Sequence, residues 1–168
     1  MNMLKIITGV LGSLSIALMA NTVVGNSATI SFEKGNSVLT AASRNKLKEL
    51  VTTAERTGKI NEIQLATWSD NPAPREGEEL SKVDKELAEA RKEIIVKYLK
   101  SLKVSDVDSY NMAERANWLS RTFQTDGAEL KAEVGQGADM PMSKKEFQVF
   151  KDKGGPSKAV VLVMLKAR

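Results

Sequence analysis

Asp84-Lys85-Glu86-Leu87-Ala88-Glu89-Ala90-Arg91-Lys92-Glu93-Ile94-Ile95-Val96-Lys97-Tyr98-Leu99 is the stretch on which the fold turns. Its apolar positions, continued to Leu80, Val83 and Leu102, recur at helical spacing and predict one long helix over residues 80–102. At about 100° per residue from Leu80, most of these side chains fall between about 300° and about 60°, with Leu99 apart at about 100°. Arg91 falls at about 20° and Asp84 at about 40°, so both charges project from within the apolar stripe. An arginine at the edge of such a stripe snorkels to water, whereas one at its centre needs a partner. A buried charge left unpaired costs about 3–5 kcal/mol. Asp84 lies two turns away, about 10.5 Å along the axis. Asp70, which ends the second strand and begins the loop entering this helix, is another carboxylate that the chain can bring near. Two readings are open. One is a structural ion pair tying loop to helix; the other is a cleft for a zwitterion, with Asp70 accepting from an ammonium and Arg91 clasping a carboxylate. Spacing does not choose between them.

Upstream of this helix, residues 29–32 form a β-type run that ends in the turn-like Glu33-Lys34-Gly35-Asn36-Ser37. Thr40 then caps a helix in which Leu47, Leu50, Val51 and Ala54 follow at i, i+3, i+4 and i+7, and Gly58 stops it. Residues 60–68 alternate well enough for a second strand, with Ile63, Leu65 and Thr67 on one side and Trp68 on the other, where it reads as core. Asn71, Pro72, Pro74 and Gly77 make the following segment a loop. Downstream, residues 107–112 suit a third strand and residues 158–166 a buried final one. Between these strands, residues 114–123 look helical, with Trp118 as packing, and Met140-Pro141-Met142 reads as loop. Ser143-Lys144-Lys145-Glu146 is a capping box for a short helix bearing Phe147 and Phe150, stopped by Gly154-Gly155-Pro156. The order β-α-β-α-β predicts an α/β sandwich. It has a small mixed sheet, helices on one face, and an extra helical insertion at about residues 115–156 before the last strand.

The 168 residues suffice for one domain, expected over 29–168, and contain neither histidine nor cysteine. That excludes Ser-His-Asp and Cys-His nucleophiles, zinc sites of the usual kind, disulfides and thiol redox chemistry. No cofactor and no metal are expected. The 25 Lys plus Arg against 21 Asp plus Glu are interleaved along the chain, which argues against a nucleic-acid partner. Residues 1–5 carry one positive charge and residues 6–19 carry none and are rich in Ile, Leu, Val and Ala, the layout of a secretory signal. Cleavage after Gly25 puts Val23 and Gly25 at the small-residue positions and makes 1–25 the signal peptide. Cleavage after Ala20, with Leu18 upstream, is the other possibility, and residues 6–24 approach the length of an uncleaved anchor. Export to a bacterial periplasm is the expected destination.

The residues so far quoted resemble the OmpA-like peptidoglycan-binding domain, a C-terminal module of outer-membrane proteins and lipoproteins. The long helix is similar to that family's Asn-x-x-Leu-Ser-x-x-Arg-Ala-x-x-Val-x-x-Tyr-Leu pattern. It reads here as Asp84, Leu87, Ala88, Arg91, Lys92, Ile95, Tyr98 and Leu99. Phe32, Ser37, Leu39, Thr40, Leu47 and Leu50 look like the family's opening strand and helix, and Ser69-Asp70 takes the place of its Thr-Asp after the second strand. The resemblance covers about residues 29–112 and the final strand. It implies non-catalytic capture of peptidoglycan through the amino and carboxylate groups of diaminopimelate in the stem peptide. Asp70 and Arg91 make the contacts, and Asp84 and Leu87 stand as supporting positions. Asp84 replaces an Asn of the family pattern, the loop 71–79 is longer than usual, and Ser157-Lys158-Ala159 lacks the basic pair that often opens the last strand.

Two further function classes compete with a cell-wall anchor. A structural or partner-binding subunit of an envelope complex would share the fold and use the segment 115–156 as its interface. An enzyme would need an acid and base such as Glu76, Glu78 or Glu79, but these sit in a polar loop with nothing to raise a pKa, so none is expected.

Overall fold

The computed structural model describes residues 22–75, 77–114 and 144–166. In chain order these form β1 (Thr22–Ser31), α1 (Ala41–Thr57), β2 (Ile60–Thr67), α2 (Lys82–Ser101), β3 (Val107–Asn111), α3 (Lys144–Lys153) and β4 (Lys158–Lys166). The four strands make one mixed sheet in the order β1-β4-β2-β3. The parallel pair β2 and β3 is joined across α2, while β4 runs antiparallel to both of its neighbours.

The last strand is thus inserted in the middle of the sheet, which explains its near-continuous apolar run. Ala159, Val161 and Val163 enter one core with Ile63 and Leu65 of β2, Leu47, Leu50, Val51 and Ala54 of α1, and Ile95 and Leu99 of α2. The alternate residues Val160, Leu162 and Met164 enter a second core with Ala66, Trp68, Tyr110, Met112 and Phe150. A strand apolar on both faces belongs at the centre of a layered fold. The two long helices share one face, as the pattern predicts, and α3 covers the other through Phe150.

Both long helices start where a hydroxyl can accept an otherwise orphaned amide. Thr40 Oγ1 accepts from the Ser43 N–H at 3.1 Å and Ser81 Oγ from the Asp84 N–H at 3.2 Å. α1 ends at Gly58, whose N–H donates to the Ala54 carbonyl at 2.9 Å. The α2 wheel needs a correction. Ala88, Arg91, Ile95 and Leu99 are its buried residues, and Val83 is 72% exposed. The buried line therefore sits about 60° from the centre drawn from Leu80. Leu80 precedes the cap and is no part of the helix, and Leu99, the apparent outlier, lies on the true core line.

The first strand also differs from its expected extent, beginning at Thr22 and not at Thr29. Its register with β4 shifts between Val24 and Ser27, so the interruption at Gly25-Asn26 is a bulge within a strand and not its boundary. Ser143, the Met140-Pro141-Met142 segment and all but Glu114 of the helix expected at 114–123 lie outside the described residues.

The packing of the second core has one tight point. A Cβ built at Gly154 would overlap the Trp68 ring and sit against the Phe150 carbonyl oxygen. Gly154→Ala is expected to destabilise the protein by about 1–3 kcal/mol, the usual range for overpacking. It should also alter the Trp68 fluorescence; urea denaturation followed by tryptophan emission measures both.

Candidate functional site

The strands β1 and β2 run in the same direction, each being antiparallel to β4. The β1–α1 loop, the β2–α2 loop and the start of β4 therefore meet at one end of the sheet. Arg91, on the core line of α2, reaches into that meeting point with no accessible surface at all. Its Nε donates to the Asn36 carbonyl at 2.9 Å, its Nη1 to the Trp68 carbonyl at 2.9 Å, and its Nη2 to the Glu33 carbonyl at 3.1 Å. The same Nη2 meets Asp70 Oδ1 at 2.7 Å. The Phe32 ring lies under the guanidinium, its centroid 4.9 Å from Cζ, a cation–π contact in a desolvated place.

Asp70 is the partner that the buried charge demanded. Besides Arg91, its Oδ1 accepts from Ser157 Oγ at 2.7 Å and its Oδ2 from the Gly35 N–H at 2.5 Å. Gly35 adopts φ 71°, a left-handed conformation that turns its amide onto the carboxylate. Ser157 also has a positive φ, 57°. From that position its N–H donates to the Ser69 carbonyl at 2.7 Å and its carbonyl accepts from Phe32 at 2.8 Å. One carboxylate and one guanidinium thus fasten four segments to each other. Burial alone would raise the Asp70 carboxyl, but hydrogen bonds from Ser157, Arg91 and Gly35 and the Arg91 charge outweigh it and hold the group below its ordinary 3.8.

Of the four positions expected at the site, the structure brings Asp70 and Arg91 together and leaves the other two apart. Asp84 does not neutralise Arg91. Its carboxylate accepts from Ser81 Oγ at 2.6 Å and from Asn71 Nδ2 at 2.9 Å, bonds that clip the β2–α2 loop to the first turn of α2. The Ser81 bond, joined by that from Asn71 and opposed by burial, holds Asp84 below its ordinary value too. Leu87 is half-buried one turn before Arg91 and brings no polar group to the pair. Sequence reasoning missed Gly35, Ser157 and the carbonyls of Glu33 and Asn36. Gly35 was legible as a turn glycine; backbone acceptors carry no residue signature.

The Arg91 side chain is fully enclosed, whereas that of Asp70 keeps 12% of its surface open to solvent. A recess of about 560 Å³ lies elsewhere, at the opposite end of the sheet, where Glu55, Lys59, Lys103, Asp106 and Lys166 line it. All five are exposed. With its charges already in water, that groove has no desolvated charge to grip a ligand, and the chemistry of interest stays with the buried pair. Among the described residues no group of three or more acidic side chains is placed to hold a metal ion, and no helix is long and apolar enough to cross a membrane.

Because the folded carboxyl of Asp70 titrates below its unfolded value, the stabilisation it contributes is fully present above about pH 4. It is lost as the pH falls through the lower folded value. Chemical denaturation between about pH 5 and about pH 2 should show wild type losing stability more steeply than Asp70→Asn, which is weaker at neutral pH but lacks this titration. Equal acid slopes would contradict the assignment.

No protein-family model matches the chain, and no curated protein matches it. Among solved structures, the chain is similar to the OmpA-like domain of FopA1 from Francisella tularensis subsp. tularensis SCHU S4. The identity is 12%, the match covers 90% of this chain and 85% of that one, and the TM-score is 0.39. It is also similar to the periplasmic domain of Helicobacter pylori MotB, at 10% identity over 88% of this chain and 83% of that one, with a TM-score of 0.46. At these values nothing about the ligand of this chain follows from either.

Proposed function

We propose that this protein is a non-catalytic, exported module of the OmpA-like kind that holds peptidoglycan in the periplasm, alone or within an envelope complex. Its ligand on this reading is the diaminopimelate of the stem peptide. The observation that carries the proposal is the meeting of Asp70 and Arg91, 2.7 Å apart, at the end of the sheet where both helices begin. An ammonium group adds to Asp70 at its open edge. A carboxylate reaches Arg91 by taking the place of the Glu33 or Asn36 carbonyl, which requires the β1–α1 loop to move outward. The guanidinium then exchanges one acceptor for another and is never left unpaired. A polymer that presents many copies of the ligand rewards even modest affinity at each site.

The complete burial of Arg91 favours a second reading, in which the pair is only a structural staple and the protein docks on another envelope protein. Val38, 62% exposed on the β1–α1 loop, and Val83 in the first turn of α2 lie at the same end and would suit such a contact.

Co-sedimentation with purified sacculi separates the two. Wild type is expected in the pellet, and free diaminopimelate should release it. Asp70→Asn and Arg91→Lys, each first shown to be folded by circular dichroism, should lose roughly tenfold or more in affinity, the value of one charge-assisted hydrogen bond. Undiminished retention of the folded double variant would reject the site. Failure of wild type to sediment, with co-elution of a stoichiometric protein from envelope extract on size exclusion, would favour the second reading.

A further inference from the structure

The leader in residues 1–20 leaves two places for cleavage, and the residue pattern alone gives Gly25 the better pair of small side chains. The fold supplies a different reason for that glycine. β1 opens at Thr22, upstream of Gly25, and Thr22, Val23 and Val24 pair with Lys166, Leu165 and Met164 of β4. A Cβ at position 25 would stand 2.9 Å from the Val163 carbonyl oxygen and 3.2 Å from Leu165 Cγ. β1 can approach β4 there only because the side chain is missing, and the register shift after Val24 falls at the same place. Glycine at 25 is therefore required by strand packing whether or not a peptidase ever meets it.

Cleavage after Gly25 would remove residues 22–25 of the ten-residue β1. Since β1 is the outer neighbour of β4 in the sheet, the Met164 to Lys166 end of β4 would become an unpaired edge on that side. Cleavage after Ala20 retains every residue from Thr22 to Ser31. It places a small residue at the scissile bond and retains the apolar Leu18 two positions before it.

We propose that the exported chain is cut between Ala20 and Asn21, so that the mature protein starts at Asn21 and keeps Thr22–Ser31 paired along β4. The proposal rests on the reading of residues 1–20 as an export signal and is independent of what Asp70 and Arg91 bind.

The test is expression of the full chain with its own N-terminus in a Gram-negative host, followed by intact-mass measurement and N-terminal sequencing of the protein in each cell fraction. A periplasmic species starting at Asn21 is expected, and Ala20→Leu should accumulate the precursor. A mature N-terminus at Asn26, or a membrane-bound chain still carrying residues 1–20, would overturn the proposal, as would normal processing of Ala20→Leu. A chain produced directly from Asn26 should melt about 4 °C or more below one produced from Asn21. Equal midpoints would show that residues 22–25 contribute nothing to the fold and would remove the basis of the inference. Sacculus co-sedimentation is read separately, so failure here leaves the wall-binding reading standing, and the reverse holds too.

Discussion

A guanidinium carried on the core line of a helix has to be given acceptors by the rest of the chain, and that requirement organises one whole end of this protein. Arg91 takes three backbone carbonyls and one carboxylate, drawn from the β1–α1 loop, the end of β2 and the β2–α2 loop. Asp70 in turn takes the Ser157 hydroxyl and the Gly35 amide. The β1–α1 loop, the β2–α2 loop and the turn into β4 are each positioned by a bond to one of the two charges. Removing Asp70 strands the Arg91 charge in a place without water, which is why such pairs are far costlier to break than to replace whole.

The same economy of parts separates structural and functional roles along α2. Ile95 and Leu99 seal the core between helix and sheet, and Arg91 occupies the same line one and two turns earlier, where the sheet ends and the loops begin. Asp84, nearer the helix start, works on the loop and not on the arginine. The charged residue thus sits where the apolar core gives out, the position from which it can both tie the loops and meet a ligand that displaces one of their carbonyls.

How far this was legible in the sequence depends on the range of each interaction. The α1 quartet Leu47, Leu50, Val51 and Ala54, its Thr40 cap and its Gly58 stop are local signals, and the structure has them as read. The need for a partner at Arg91 was visible from the helical wheel, and Asp70 was one of two candidates; the choice between Asp70 and Asp84 needed the fold, since Asp84 is committed to Ser81 and Asn71. Ser157 left no trace in the pattern because it reaches Asp70 across 87 residues of chain. The early half of β1 was hidden for a different reason: an edge strand broken by a bulge loses the alternation that marks a strand, and its residues adjoin an apolar leader.

The most direct test of the central claim is nuclear magnetic resonance of the Arg91 Nε–H and the Asp70 carboxyl carbon while a diaminopimelate-containing stem peptide is added to the folded wild-type protein. The account predicts that both signals shift together and saturate with the same binding curve, as the guanidinium trades a loop carbonyl for the carboxylate of the peptide. Binding that leaves both signals in place would show that the pair serves the fold alone.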